Sequence, residues 1–568
     1  MTGNRKFIAV LLTGVLLALV IISAGCVTQE KSQTTDDRPV AVCTNGIFVG
    51  THEDETGVVT FKGIPFAKQP VGDLRWKAPQ PAEPSNEVFE AVDFGPSAVQ
   101  SKSGAEKTSL REQSEACLTL DLWTKNMDGD KKPVMVFIHG GSYAFGGSAD
   151  SQYSGQYLTA AHENLILVSV NYRVNLLGYI DFSRVEGGEE FPDSGYLGVL
   201  DVIEALKWIK ENISAFGGDP ENVTIFGESA GGGTVGCLLV SKPAEGLFQR
   251  AILQSGDASL TYPIEKFEKN MQTEYLMKIT GAKNMNDLMA LSTEDIQKAL
   301  ETGTGKTGPE GNSQLAGLNN HPMRGNDSII PEDPYEALAD GASKDVDIMI
   351  GTTADEWRYW IECMYTNLDP HQNLDKMVDK YYPFIQERAY DILGDYPEKD
   401  ELIKEFLKME NFDGEKYSDK YPHIWNYADL NTEQAFRLPA IKTAEEHLAA
   451  GGKGKTYMYL FEKGVTDEVL EIMGACHAVE IPYVFNNPIG YEDLGAPDKN
   501  LLSDVSSAWV NFAATGDPGH GWTEYNTETR PTMIFGGDGT LKMEDDPKSE
   551  ARILLMPLFE NKIMAWGN

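Results

Sequence analysis

Residues 227–231 place a serine in a pattern suited to nucleophilic chemistry. They are Gly-Glu-Ser-Ala-Gly, directly after the apolar run Val223 to Phe226 and directly before further small residues. This order predicts a strand, a sharp turn with Ser229 at its tip, and then a helix. The glycines let strand and helix pass close to the serine, and free N–H groups at the helix start favour an anion that forms there. So short a pattern also occurs by chance, so the interpretation depends on partners elsewhere in the chain.

A serine hydroxyl becomes a good nucleophile when a base removes its proton and a third group orients that base. After a turn of this kind the usual chain order is serine, acid, histidine. His477 is the base candidate, because it lies in a predicted loop between a glycine-containing turn and an apolar run. The acid candidates are Asp355 and Glu356, which follow the predicted strand Asp347 to Ile350. Adjacent side chains of an extended loop point in opposite directions, so one of the two faces the histidine, and spacing leaves the choice open.

A third requirement is a group of donors for the negative charge that develops on the substrate. His-Gly-Gly-Ser at 139–142 follows the apolar run Val134 to Ile138. Such a loop offers backbone N–H groups to an oxyanion, and its glycines let the backbone approach the substrate. The predicted donors are the N–H groups of Gly140, Gly141 and Ala230, each worth on the order of 3 kcal/mol in the transition state. The histidine of this loop is predicted to be structural.

The elements that must position these residues have the pattern of a mainly parallel α/β sheet. The continuous apolar runs Val134 to Ile138 and Leu165 to Val170 indicate strands buried on both faces. Helical spacing from Val199 to Ile213 predicts a helix that Asp193 or Ser194 could cap and that Gly217-Gly218 could end. Further strands are predicted at Ala251 to Gln254, Asp347 to Ile350 and Thr456 to Phe461, and an opening hairpin at Val40 to Val49 with Val58 to Phe61.

Composition places the chain among large globular proteins. It has 568 residues, 41% of them hydrophobic, and a formal net charge of −38 from 86 acidic and 48 basic residues. Such a surface repels phosphates, so a nucleic-acid partner is not expected. Solubility is the simpler explanation of the charge. Steering of cationic substrates is the alternative, and it is disfavoured because the charge is spread along the whole chain.

The first residues have the pattern of an export signal. Arg5 and Lys6 precede an apolar run from Phe7 to Ile22, and small residues lead to Cys26. Cys26 stands where prokaryotic lipoproteins carry their lipidated cysteine. The alternatives are cleavage without lipid and an uncleaved anchor. The chain is therefore expected to be exported and held at the cell envelope by a lipid or an anchor, or else secreted, with no other contact to the membrane.

The predicted organisation has three parts. Residues 1–26 form the export segment, 27–39 a flexible polar tether, and 40–568 one catalytic domain with insertions at about 257–345 and 367–431. The cysteines have scattered spacing without a C-x-x-C pattern, so no zinc site is expected.

Several longer motifs show that the chain resembles the type-B carboxylesterase family, the cholinesterase-like branch of the α/β-hydrolases. The similarity runs from about Thr44 to the carboxyl end. The motifs that carry it are Phe-Lys-Gly-Ile-Pro-Phe-Ala at 61–67, Ser-Glu-Ala-Cys-Leu-Thr-Leu-Asp-Leu-Trp at 114–123, Asn-Tyr-Arg-Val at 171–174, Phe-Gly-Gly-Asp-Pro at 216–220, Gln-Ser-Gly at 254–256 and Trp-Val-Asn-Phe-Ala at 509–513.

The resemblance implies a role for individual residues. It implies that Ser229 is the nucleophile and His477 the base, and it favours Glu356 over Asp355 as the orienting acid. It further implies supporting roles for Glu228 and Ser255. Three residues depart from the family pattern, because Trp357 and Ala478 stand where glycines are usual and Ala116 stands where an aspartate is usual. The family's partner for Cys117, near Ala98, is missing, which implies an unpaired thiol at Cys117.

The implied fold is the α/β-hydrolase fold with helical insertions over the active site, and the implied activity is hydrolysis of small-molecule carboxylic esters through an acyl-enzyme, with no cofactor and no metal. A related acyl hydrolase acting on lipids, thioesters, carbamates or amides would use the same groups. A non-catalytic binding protein is the alternative from another class, and a complete set of Ser229, Glu356 and His477 argues against it.

Overall fold

The computed structural model describes residues 38–561, except 102–111, 129–130, 264–270, 305–319, 364–368, 410–416, 418, 490–494 and 496. Its strands are β1 Val40–Cys43, β2 Gly46–Val49, β3 Thr51–His52, β4 Val59–Pro65, β5 Val88–Glu90, β6 Thr119–Thr124, β7 Lys132–Ile138, β8 Ile166–Val170, β9 Gly218–Glu228, β10 Arg250–Gln254, β11 Tyr262–Pro263, β12 Met323–Arg324, β13 Asp347–Thr353, β14 Thr456–Phe461, β15 Pro531–Phe535 and β16 Leu541–Asp545. Its α-helices are α1 Gln156–Ala161, α2 Asn175–Gly178, α3 Leu197–Asn212, α4 Ala230–Val240, α5 Met271–Thr280, α6 Met285–Met289, α7 Thr293–Thr304, α8 Pro334–Ala339, α9 Trp360–Cys363, α10 Pro370–Asp391, α11 Lys399–Phe406, α12 Ile424–Thr432, α13 Leu438–Ala449, α14 Ile481–Val484, α15 Lys499–Thr515 and α16 Ser549–Glu560.

A large twisted sheet carries the chemistry. Its strand order is β16-β15-β14-β13-β10-β9-β7-β8-β6-β4-β3. The seven strands from β15 to β8 pair in parallel, while β16 and the β6-β4-β3 edge pair antiparallel. Helices lie between successive parallel strands, which is the α/β-hydrolase arrangement that the motifs imply. The strands β7, β8 and β14 are buried at every residue, as their uninterrupted apolar character predicts.

Parallel pairing brings the predicted site residues to one edge of this sheet. The glycine loop follows β7, Ser229 follows β9 directly, and Glu356 lies three residues after β13. His477 comes from the longer segment after β14. Because β7, β9, β13 and β14 all run in one direction, these four segments leave the sheet at its carboxyl edge.

The predicted helix over Val199 to Ile213 is confirmed, but its predicted cap is wrong. The helix α3 begins at Leu197 after Tyr196, and no side chain caps it. Asp193 and Ser194 lie outside the helix because a backbone turn, closed by the Tyr196 N–H on the Asp193 carbonyl, comes first. The other end is as expected, since a short 3₁₀ turn ends at Gly217 with φ +86°.

The opening hairpin also differs from the prediction. Val40 to Val49 is itself a hairpin of β1 and β2, because the two-residue turn Thr44-Asn45 folds the run back on itself. The acidic stretch that follows connects β3 to β4, and these two strands form a second hairpin, which belongs to the large sheet. The pattern of one long apolar run concealed the turn inside it.

The two predicted insertions contain mostly helices. The first holds α5 to α8 and the small β11-β12 sheet, and most of its glycine-rich middle, 303–317, lies outside the described residues. The second holds α10, α11 and most of α12. In the described part of the chain no helix has the length and apolar character needed to cross a membrane. The export segment with Cys26 lies outside that part.

Four cysteines lie in the described core as buried thiols, at positions 43, 117, 237 and 476. The expectation of an unpaired thiol at Cys117 is therefore confirmed. Burial raises the pKa of Cys43 and of Cys117 to about 12, so these thiols keep their protons.

Candidate active site

Ser229 occupies the tight turn between β9 and α4, with φ +57° and ψ −123°. Few residues other than glycine adopt this backbone region, so the turn holds the serine in a strained, fixed direction. The glycines beside it are required by space. A Cβ on Gly227 would lie 2.5 Å from the Gly231 carbonyl carbon, and a Cβ on Gly231 would lie 2.0 Å from the Ile138 oxygen. The predicted strand, turn and helix are all present.

The structure joins His477 to Glu356. The imidazole Nδ1 lies 2.5 Å from Oε2 of Glu356, and both side chains are buried. The other carboxylate oxygen, Oε1, accepts the N–H of Thr353 at 2.9 Å, which fixes the orientation of the acid. Asp355 points elsewhere, since its Oδ2 accepts the N–H of Ala475. Of the two adjacent acids, Glu356 is therefore the one that faces the histidine.

The second imidazole nitrogen lies close to the nucleophile turn. Nε2 of His477 is 3.1 Å from Oε1 of Glu228, the residue before Ser229. The Ser229 hydroxyl itself makes no hydrogen bond in the described part of the chain. The structure thus brings the imidazole to the residue adjoining the serine without a direct bond between the two. In a hydrolase without substrate such a bond is often long and tightens when substrate binds.

The predicted oxyanion donors are available. The backbone N–H groups of Gly140, Gly141 and Ala230 donate to no acceptor within the described ranges. Gly140 also lies against the nucleophile, since a Cβ placed on it would be 3.2 Å from the Cβ of Ser229. Gly141 has φ +106°, a conformation that glycine adopts without strain. Three unengaged donors beside a serine are suited to hold an oxyanion.

His139 in the same loop has a structural role, as expected. Its ring stacks on Tyr172 with centroids 4.3 Å apart, and its Nδ1 lies 2.8 Å from the Gly140 oxygen. The Tyr172 hydroxyl donates to the His139 carbonyl at 2.6 Å. Burial lowers the pKa of His139 to about 4, so the ring is neutral and shapes the glycine loop.

Buried carboxyls control the charge of the base. Burial by itself lowers the pKa of His477. The negative charge of Glu228, Glu356 and Glu480 outweighs this and raises that pKa to about 9. Burial raises the pKa of Glu228 and of Glu480, so both hold protons more tightly than an exposed glutamate. While these two are protonated, the charge of Glu356 dominates beside the imidazole, so the protonation of His477 depends on that of Glu228 and Glu480.

Sequence reasoning missed Glu480, which lies three residues after the histidine. Its Oε1 accepts a hydrogen bond from the Gln254 side chain at 3.0 Å, and the residue is completely buried. The available signal was an acidic residue standing between His477 and the apolar run that begins at Ile481. Ser255 was predicted as a support of the site, but its hydroxyl makes no hydrogen bond in the described part of the chain.

Three aromatic rings lie close to the imidazole of His477. Their centroids lie 5.8 Å away for Tyr359, 5.5 Å for Trp360 and 4.9 Å for Phe436. Trp357, which stands where the family has glycine, is buried and stacks on Trp360 at 4.4 Å. Trp357 therefore packs behind the site, while the half-buried Tyr359 and Trp360 border the space next to His477. Phe436 comes from a distant segment that no local pattern marks.

Among the described residues no cluster of three or more His, Cys, Asp or Glu side chains could hold a metal ion.

The chain belongs to the carboxylesterase family, whose model matches residues 37–552. With the α/β-hydrolase sheet and the serine turn, this membership makes the protein a serine carboxylesterase.

Individual relatives agree with this class. The chain is 34% identical over 521 residues to the para-nitrobenzyl esterase of Bacillus subtilis (strain 168). This alignment covers 89% of the present chain and 96% of the Bacillus protein. It is 31% identical to mouse carboxylesterase 1E, in an alignment that covers 90% of this chain and 92% of that relative. Among solved structures, a Geobacillus stearothermophilus carboxylesterase at pH 6.2 matches with a TM-score of 0.75 and 30% identity, covering 91% of this chain and 99% of that one.

Proposed function

We propose that this carboxylesterase hydrolyses small-molecule esters through a triad of Ser229, His477 and Glu356 and an acyl-enzyme intermediate. The 2.5 Å contact between His477 and Glu356, beside the Ser229 turn, is the observation that carries the proposal. In the first half-reaction, His477 Nε2 takes the proton of the Ser229 hydroxyl while its oxygen attacks the ester carbonyl. Glu356 holds the imidazole through Nδ1 and stabilises the imidazolium that forms.

The oxyanion of the tetrahedral intermediate would accept hydrogen bonds from the N–H groups of Gly140, Gly141 and Ala230. His477 then gives its proton to the leaving alcohol, and Ser229 keeps the acyl group. Water enters, loses a proton to the same imidazole, and attacks the acyl carbon. Collapse of the second intermediate releases the acid and returns the proton to Ser229.

A serine variant tests this mechanism directly. Ser229→Ala is expected to abolish hydrolysis of p-nitrophenyl acetate and of a para-nitrobenzyl ester, the ester type in the name of the Bacillus relative. The unfolding midpoint should stay close to that of the parent protein, because the turn retains a small residue. Covalent labelling by an organophosphonate should disappear in parallel. Full turnover in the folded alanine variant would refute the proposal.

We also propose that the protein is exported and held at the cell envelope through Cys26. The support is the order of charged, apolar and small residues that ends at this cysteine. Intact-mass analysis of the mature protein should give a chain that begins at Cys26 and carries lipid. A chain cleaved elsewhere without lipid, or an uncleaved one, would contradict this.

A further inference from the structure

Asp355, the acid beside Glu356, makes a different set of contacts, and two of them are hydrogen bonds to the segment that carries the base. The backbone N–H of Asp355 donates to the Ala475 carbonyl at 2.9 Å, and Oδ2 of Asp355 accepts the Ala475 N–H at 2.8 Å. Ala475 lies two residues before His477. The N–H of His477 in turn donates to the Glu356 carbonyl at 3.3 Å. Residues 471–477, here called the histidine loop, are therefore attached to both acids.

Arg358 extends this attachment to the start of the histidine loop. Its Nη2 lies 3.2 Å from Oδ1 of Asp355, and its Nη1 donates to the Ile472 carbonyl at 3.1 Å. The guanidinium also lies over the Trp425 ring, 4.4 Å from its centroid. Only 3% of Arg358 is exposed, so its ion pair with Asp355 is shielded from the screening that weakens surface ion pairs.

The loop is shaped to receive the Asp355 carboxylate. Gly474 has φ +57°, and a Cβ on it would lie 2.3 Å from Oδ2 of Asp355. A glycine is needed at this position both for the backbone conformation and for the close approach of the carboxylate.

We propose that Asp355, together with Arg358, is a positioning residue that holds the histidine loop so that the imidazole of His477 stays on Glu356. This inference rests on the proposed role of His477 as the base. The two neighbouring acids thus divide the work: Glu356 orients the ring, and Asp355 fixes the backbone that bears it. Such support matters because a misplacement of about 1 Å in a catalytic group can cost about 100-fold in rate.

The other end of β13 provides a matched control. Asp347 also accepts a backbone N–H with its side chain, that of Lys455 at 3.0 Å, and also lies beside an arginine, Arg250, at 3.4 Å. Its side chain is 22% exposed, against 17% for Asp355. Because Asp347 lies at the opposite edge of the sheet, its loss perturbs stability without reaching the histidine loop.

The test compares Asp355→Ala, Asp355→Asn and Asp347→Ala in the full chain with p-nitrophenyl acetate, per active site counted by organophosphonate titration. We expect Asp355→Ala to lower kcat by about 10- to 100-fold with KM within about twofold. Asp355→Asn keeps an acceptor oxygen for the Ala475 N–H, so its kcat should fall less than that of Asp355→Ala. Asp347→Ala should keep kcat within about twofold.

A pH profile separates positioning from a merely structural role. The charges that face the imidazole are Glu228, Glu356 and Glu480. If the ring moves away from Glu356, its pKa falls, so the acid limb of kcat/KM should move to lower pH in Asp355→Ala and stay in place in Asp347→Ala.

Equal kcat per site and unchanged acid limbs in the Asp355 and Asp347 variants would overturn the inference. Should Asp355→Ala fail to fold, the same comparison is decided by Asp355→Asn. The inference and the proposed function fail in different ways. Turnover by Ser229→Ala refutes the triad, whereas an inactive Ser229→Ala with a normal Asp355→Ala refutes only the positioning role.

Discussion

Replacing Glu356 by glutamine should disable the base through both charge and proton position. The Thr353 N–H donates to Oε1, so in Glu356→Gln the amide oxygen is held at that site. The amide NH₂ then faces Nδ1 of His477, where Oε2 stands 2.5 Å away in the parent protein. A donor at that place makes Nδ1 an acceptor and moves the ring proton to Nε2. A ring protonated at Nε2 cannot accept the proton of Ser229.

The distance gives the size of the effect. Two unit charges 2.5 Å apart, at an effective dielectric constant of about 20, attract by about 7 kcal/mol. That is about five factors of ten in rate if the whole attraction to the imidazolium were lost. In the variant, the dipole of the glutamine amide and the oxyanion donors still supply part of the stabilisation of the transition state. We therefore expect kcat to fall by about 10³- to 10⁴-fold, the usual result of giving a triad histidine the wrong tautomer.

The assay is steady-state hydrolysis of p-nitrophenyl acetate by Glu356→Gln, with active sites counted by organophosphonate labelling and folding checked by thermal unfolding. Nitrogen-15 spectra of the neutral imidazole, recorded above the His477 pKa of about 9, should show the proton on Nε2 in the variant and on Nδ1 in the parent protein. A folded variant that retains kcat within about tenfold would refute the role assigned to Glu356. An unchanged tautomer would refute the reasoning from the Thr353 contact.

Two further predictions concern the surroundings of the triad. Glu228→Gln removes a carboxyl 3.1 Å from Nε2 of His477 that raises the pKa of this base whenever it is ionised. Because the amide cannot ionise, the acid limb of kcat/KM should move to lower pH; an unmoved limb in the pH–rate profile would contradict this. Gly231→Ala puts a methyl group 2.0 Å from the Ile138 carbonyl oxygen and should cost about 1–3 kcal/mol or more in the free energy of unfolding by denaturant titration, whereas the control Gly537→Ala, whose added Cβ meets nothing closer than 3.4 Å, should be close to neutral.

Much of the fold could be predicted because parallel strands buried on both faces have an unmistakable apolar pattern. The runs at β7, β8, β10, β13 and β14 coincide with predicted strands to within a few residues. The serine turn could be predicted because only glycine fits at 227 and 231. Features that depend on a single turn could not be predicted from the sequence. The Thr44-Asn45 turn lies inside an apolar run, and the turn at Asp193 displaces a side chain that otherwise suits a helix cap.

The site was predictable in its residue types and less so in its contacts. Spacing could not choose between Asp355 and Glu356, because the direction of each side chain depends on the backbone angles of one loop, with φ −124° and ψ 37° at Asp355. The resemblance made that choice. No sequence pattern indicated that Glu228 reaches Nε2 of His477, or that Phe436 packs on the same ring, since both depend on how distant segments meet.

The buried thiols can report on local opening of the folded chain. Cys43, Cys117, Cys237 and Cys476 react with an alkylating reagent only after the chain around them opens. Cys476 adjoins His477, whereas Cys237 lies in the buried helix α4. The ratio of their alkylation rates therefore compares local breathing beside the base with opening of the central core.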